Sequence, residues 1–175
     1  MLHRRVDFAQ IALVRMAKHQ LSMSTYDRLK AEFDDLTTRG RIDVANKIER
    51  ARELGDLKEN GDYHAAKDEQ GHMEGRIRQI ESILEDAEVV SPAPDGVVGL
   101  GSIVAIVYEG DPDSDAESYL IGHVEEKPDT KDVSVMSPSS PLGSALLGAK
   151  EGDMVSYEAP NGTLKVKVLS TKSQK

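Results

Sequence analysis

The chain has no cysteine and no tryptophan, only two phenylalanines, and aromatic side chains at 4% of its 175 residues. Without cysteine there are no disulfides, no thiolate nucleophile and no Cys-ligated zinc, and a reducing cytosol suits such a chain. So little aromatic bulk points to a small core joined to an elongated, solvated element. No run approaches the ~18 apolar residues that cross a bilayer, so no membrane is expected as a partner. Basic charge is short as well. A formal net charge of −9 disfavours counterion-driven binding to free duplex nucleic acid. Any contact with nucleic acid must be local or borrowed from a basic partner.

What is present divides the chain into four stretches. Residues 1–20 are basic and loosely amphipathic, without the apolar run and cleavage site of a secretory signal. They read as a disordered extension ahead of a working chain that begins near Met16 or Met23; an organelle presequence is the other reading. Residues 21–90 are helical by period. Leu29, Phe33 and Leu36 stand at i, i+4, i+7, and the stripe resumes with Val44, Ile48, Ala51 and Leu54. Between them Thr37 to Arg41, with Gly40, forms a polar break that shifts the register as a stutter does. The second stripe, Tyr63, Ala66, Gln70, Met73, Ile77, Ile80 and Leu84, alternates spacings of three and four as an a/d seam does. Two such runs joined by a short turn predict an antiparallel coiled-coil hairpin; two helices of a globular bundle are the alternative.

Residues 91–101 read as a linker by their Pro, Gly and Ser content. Gly99-Leu100-Gly101 leads into a strand and lacks the third glycine of a dinucleotide fingerprint. In residues 102–175 the period becomes that of strands: 102–108, 118–124, 132–135, 154–158 and 163–169 are short and rich in Val, Ile and Tyr. Asn161-Gly162 predicts the last hairpin turn. Ser140 and Pro141 predict the N-cap and first turn of one short helix ending at Gly148. The expected fold class is α+β, a helical hairpin followed by an antiparallel sheet with one short helix.

The turn between the helical runs, Ala-Arg-Glu-Leu-Gly-Asp-Leu-Lys-Glu-Asn-Gly-Asp-Tyr-His at 51–64, gathers Asp56, Glu59 and Asp62. Its local reading is a helix stop at Gly55 followed by a capping box, Asp56 accepting an amide and Glu59 reaching back. A second reading starts from the surplus: three acids in seven residues exceed what one cap requires. Lys47, Arg50, Arg52 and Lys67 flank them. Carboxylates with cations behind them suit phosphodiester chemistry, the acids holding Mg²⁺ and the cations holding phosphate. Two or three exposed carboxylates bind Mg²⁺ weakly alone, so such a tip would act only where another protein adds ligands. The histidines form no metal or hydrolytic constellation: His64 and His72 are eight apart, and His3, His19 and His123 align with no Asp or Ser.

The segment ARELGDLKENGDYHAAKDEQGHMEGRI resembles the tip and second helix of the Gre transcript-cleavage factors of bacterial RNA polymerase, the GreA type above all. The likeness continues through Leu100-Gly101-Ser102, Ser140-Pro141-Leu142-Gly143-x-Ala-Leu-Leu-Gly and Glu151-Gly152-Asp153, covering roughly 21–170. The resemblance implies a monomeric cytoplasmic factor whose coiled coil enters the polymerase's secondary channel and whose C-terminal domain, of FKBP-like fold, docks at the rim through residues such as Ser140 and Pro141. It implies that Asp56 and Glu59 help hold a second Mg²⁺ and orient the water that cuts the 3′ end of backtracked RNA. Asn60, Asp62 and Tyr63 would shape the tip, and Arg52 and Lys67 would face RNA. Such a factor is no enzyme alone; it stimulates the polymerase's own cleavage. Gly61-Asp62 departs from the family's usual Ala-Glu, and Gly40-Arg41-Ile42 from its usual Arg-Pro.

Three rivals accompany that expectation. A Gre-like inhibitor would fill the same channel without promoting cleavage, a reading opposed by retention of both acids. Prolyl isomerisation would need an aromatic pocket, for which the domain offers Tyr108, Tyr119 and Tyr157 alone. A coiled-coil adaptor would need neither Asp56 nor Glu59.

Overall fold

The computed structural model describes residues 19–53 and 60–174. The chain forms two compact units, one of Tyr26–Ala87 and one of His19–Thr25 with Glu88–Lys175.

The first unit holds helix α1 (Met23–Asp35) from Tyr26 onward, a π-helical turn (Leu36–Gly40), α2 (Arg41–Glu53) and α3 (Gly61–Glu85). Cross-helix bonds fix the direction: Arg76 to Glu32 (2.7 Å), Arg41 to Glu74 (2.8 Å), Lys47 to Glu69 (2.7 Å) and Asn60 to the Ala51 carbonyl (2.6 Å). One number climbs while the other falls, so the pair is antiparallel as expected. Val44 and Ile48 bury against Ala66, with Tyr63 and Met73 packed beside them.

The expected stutter takes the form of the π turn. A π turn adds one residue to the helical repeat and frees carbonyls from the i→i−4 ladder. Thr37 Oγ1 donates to the Phe33 carbonyl (2.7 Å) and Thr38 Oγ1 to that of Asp34 (2.6 Å). Gly40 becomes a seam position through this extra residue: a Cβ there would lie 3.1 Å from Met73 Sδ. At its far end the seam of α3 turns onto Ile83, which is buried, while Leu84 is half-buried.

In the second unit β1 (His19–Leu21) pairs with β2 (Ala87–Val89), and a five-stranded sheet runs in the order β5-β4-β3-β7-β6. Its strands are β3 (Ser102–Tyr108), β4 (Glu117–Ile121), β5 (Val133–Met136), β6 (Met154–Ala159) and β7 (Gly162–Ser173). The α+β class holds, but the sheet is mixed rather than antiparallel, because β5 lies parallel to β4. The connection 122–132 is long enough to carry the chain back to the starting end of the sheet, which a tight hairpin cannot do. The β6–β7 turn also differs. Pro160 and Asn161 occupy its corner without positive φ, and Gly162 alone takes φ 123°.

Helix α4 (Pro141–Leu146) lays Leu142 and Leu146 on Val104, Ile106, Ile121, Val166 and Val168. The stretch 91–101 does not stand apart as a linker. Val98 joins that same core, and its amide and carbonyl bond to Ala149 and Gly148 (2.8 Å each). At the rim the Tyr108 phenol is pushed up to about 12, first by its hydrogen bond with Tyr157 and then by burial.

Candidate functional site

Asp56 and Glu59 lie outside the described residues; the ends of the helices that flank them in the chain do not. Helix α3 is capped by Asn60, whose Oδ1 accepts from the Tyr63 amide (3.1 Å). The capping-box reading, with Asp56 at the cap of the second helix, is therefore replaced. The second half of the same Asn60 amide crosses to α2, Nδ2 donating to the Ala51 carbonyl. One side chain thus satisfies an orphan amide at the start of one helix and a carbonyl near the end of the other. Asn60 had been expected to shape the tip, but nothing in the sequence showed that it would bond both helices.

Arg52 lies over the Tyr63 ring, its guanidinium carbon 5.9 Å from the centroid. This is cation–π range, and it sets an expected RNA contact against an expected shaping residue. Tyr63 also meets His64 edge-on at 5.8 Å. Lys67, the other cation expected to face RNA, donates to Gln70 Oε1 (2.6 Å). Asp62 is exposed in the first turn of α3, where the helix dipole favours an anion. It lines a shallow groove with Lys47, Arg50 and Glu69. Among the described residues no group of three His, Asp or Glu could hold a metal ion.

In the second unit Ser140 caps α4: its Oγ accepts from the Gly143 amide (3.0 Å) and donates to the Ser137 carbonyl (2.8 Å). Pro141 is exposed beside it. Gly143 is fixed by sterics, since a Cβ there would stand 2.1 Å from the Ser137 carbonyl oxygen.

Two of the histidines also meet each other, a contact the sequence did not show. His19 and His123, 104 residues apart, approach to 3.0 Å between Nδ1 and Nε2. Nearby, Glu126 accepts from the Ser22 amide, the Ser22 hydroxyl and the Thr25 hydroxyl, each at 2.7 Å. No local pattern announces contacts made across such a separation.

Family profiles described as transcription elongation factor, N-terminal, and transcription elongation factor, GreA/GreB, C-term, match residues 19–89 and 93–173. The chain belongs to the GreA/GreB family. It is 48% identical over 152 residues to transcription elongation factor GreA of Rhodococcus erythropolis, covering 86% of this chain and 92% of that one. It is 48% identical over 143 residues to GreA of Streptomyces coelicolor, with 81% and 85% covered. Among solved structures, GreA factor homolog 1 of Thermus thermophilus is 26% identical, covering 89% of this chain and 99% of its own, with a TM-score of 0.40. Both GreA/GreB halves are thus accounted for, and the chain is a transcription elongation factor. No helix among the described residues is long and apolar enough to cross a membrane.

Proposed function

We propose that this factor works in the cytoplasm as a monomer, inserting its helical hairpin into the secondary channel of RNA polymerase and stimulating hydrolysis of backtracked RNA near its 3′ end. The observation that carries the reading is the Asn60 bridge, which ties α2 to α3 on either side of the acidic turn in the chain. A bridged end can present carboxylates at a defined spacing, and positioning of this kind is a large part of catalysis.

Asp56 and Glu59 are the residues that would hold Mg²⁺ together with the polymerase's own ligands. Their hard oxygen donors fit that ion, and two carboxylates are too few to retain it alone. When bound, Mg²⁺ would supply Lewis-acid activation of water and neutralise charge developing on the phosphate. Arg52 and Lys67 are assigned to the RNA backbone. Each would exchange its present partner, the Tyr63 ring or Gln70, for a phosphate. Asn60, Asp62 and Tyr63 shape the tip. Ser140 and Pro141, at the start of α4, are assigned to polymerase docking. The factor has no turnover alone; the chemistry belongs to the polymerase.

Transcript cleavage by a backtracked elongation complex tests the reading directly. The wild-type chain should accelerate cleavage, and Asp56→Ala should lower the stimulated rate by at least about a hundredfold, the order expected for a lost catalytic group, with polymerase binding retained. No acceleration by wild type, with binding intact, would instead identify an inhibitor of the same channel. Full activity of Asp56→Ala would overturn the assignment of the acid.

A further inference from the structure

Residues 19–25 are fastened to the turn at 123–126, and the fastening has two parts, one built on a carboxylate and one on a pair of imidazoles. The first is the Glu126 carboxylate. It takes the backbone and hydroxyl of Ser22 and the hydroxyl of Thr25. Ser22 Oγ also accepts from the Thr25 amide (3.2 Å), the bond of an N-cap at the start of α1. Gly122 makes room for the Glu126 side chain, since a Cβ there would lie 3.0 Å from Glu126 Cγ.

The second part is the histidine pair. His123 Nδ1 accepts from the Glu125 amide (3.2 Å), so that nitrogen carries no proton. A neutral His123 must then be protonated at Nε2, which donates to His19 Nδ1. His19 in turn carries its proton on Nε2. Only this pair of neutral tautomers satisfies both bonds. A further proton has two places to go, His123 Nδ1 or His19 Nδ1, and both are acceptors already in use. Protonating the first breaks the bond from Glu125, and protonating the second sets two N–H groups against each other.

We infer that the 123–126 turn is a proton-sensitive latch for residues 19–25, closed when both histidines are neutral and loosened when either gains a proton. The charged groups that act on His123, besides His19, are Glu125 and Glu126 on the same turn; Glu88, on β2, is engaged by Gln20 (3.5 Å). The two turn carboxylates favour protonation of His123. Burial, and after it repulsion from a charged His19, outweigh them and hold His123 below its ordinary value. The closed form therefore binds fewer protons than the open one. Its histidine contribution is complete above the ordinary imidazole value of ~6.5 and is lost as pH falls through and below it. The Glu126 bonds involve neither imidazole, so they remain when the histidine contact is lost. The latch is independent of the chemistry at the tip. Because residues 19–25 run directly into α1, it acts on the covalent root of the hairpin.

Amide hydrogen exchange on the full chain tests it. The Val90 amide donates to the Leu21 carbonyl (2.9 Å) and the Ser22 amide to Glu126, so both report on the fastened segment. Between pH 7.5 and 5.5 their protection factors should fall by up to about tenfold, the limit set over that range by one depressed imidazole, while that of the Val168 amide in the sheet stays level. The double variant His19→Gln/His123→Gln should show a pH-flat profile, whether its amides keep the segment fastened or leave it loose. Glu126→Gln should lower protection at both pH values and retain the slope. Unchanged wild-type protection across the range, or the same slope in the double glutamine variant, would overturn the inference.

Discussion

Asn60 shows how much one amide can do when its two halves face different partners. Asn60→Asp keeps an acceptor for the Tyr63 amide and loses the donor to Ala51, whereas Asn60→Ala loses both. We expect Asn60→Ala to cost the hairpin ~2 kcal/mol, about half from the cap and half from the crossing bond, read by chemical denaturation followed by circular dichroism. Asn60→Asp should recover the cap portion and still stimulate cleavage less than wild type. Full recovery by Asp would show that the crossing bond contributes nothing. The sequence marked Asn60 through its motif, but a donor that crosses between helices depends on how closely they approach. His19 and His123 were opaque for the same reason, since neither has a local partner that would mark it.

At the level of elements, the π turn and the parallel edge strand show where periodicity succeeds and where it stops. Spacing alone located the break near Gly40, because a stripe of apolar residues records every added residue. Spacing could not say that the break would be a π turn, nor that Gly40 would lie beneath Met73. Gly40→Ala should stay within about 1 kcal/mol of wild type, the helix propensity gained offsetting a small shift of the flexible thioether. Gly40→Leu should cost ~1–3 kcal/mol by overpacking, measured in the same denaturation experiment. Equal stability for the two would mean that Met73 has room to spare. In the second unit, Val- and Ile-rich alternation identified the strands, but alternation is the same in either direction. The parallel pairing of β4 with β5 follows from the path of 122–132, which composition does not reveal. Val98 was hidden among Pro and Gly in the same way, since turn residues around one apolar side chain look like linker whether or not that side chain is buried.

On the scale of the whole molecule, the second unit is discontinuous in sequence, with the helices of the first inserted between Thr25 and Glu88. A chain beginning at Met23 would lack β1, the buried Leu21 and the Ser22 cap. Such a truncation should lower the melting temperature by roughly 5 °C or more, as expected for the loss of one buried leucine and its bonds; an unchanged melting curve would show that β1 is dispensable. The same topology has a further consequence. The chain leaves for the helices from one member of a bonded strand pair and returns through the other, so the pairing of β1 with β2 does not depend on how many residues lie between them. Matched numbers of turns could be added to or removed from both helices without altering either strand. Hairpin length is then a quantity that evolution or a protein engineer can change turn by turn, while the strand pair that brackets it in the chain stays as it is.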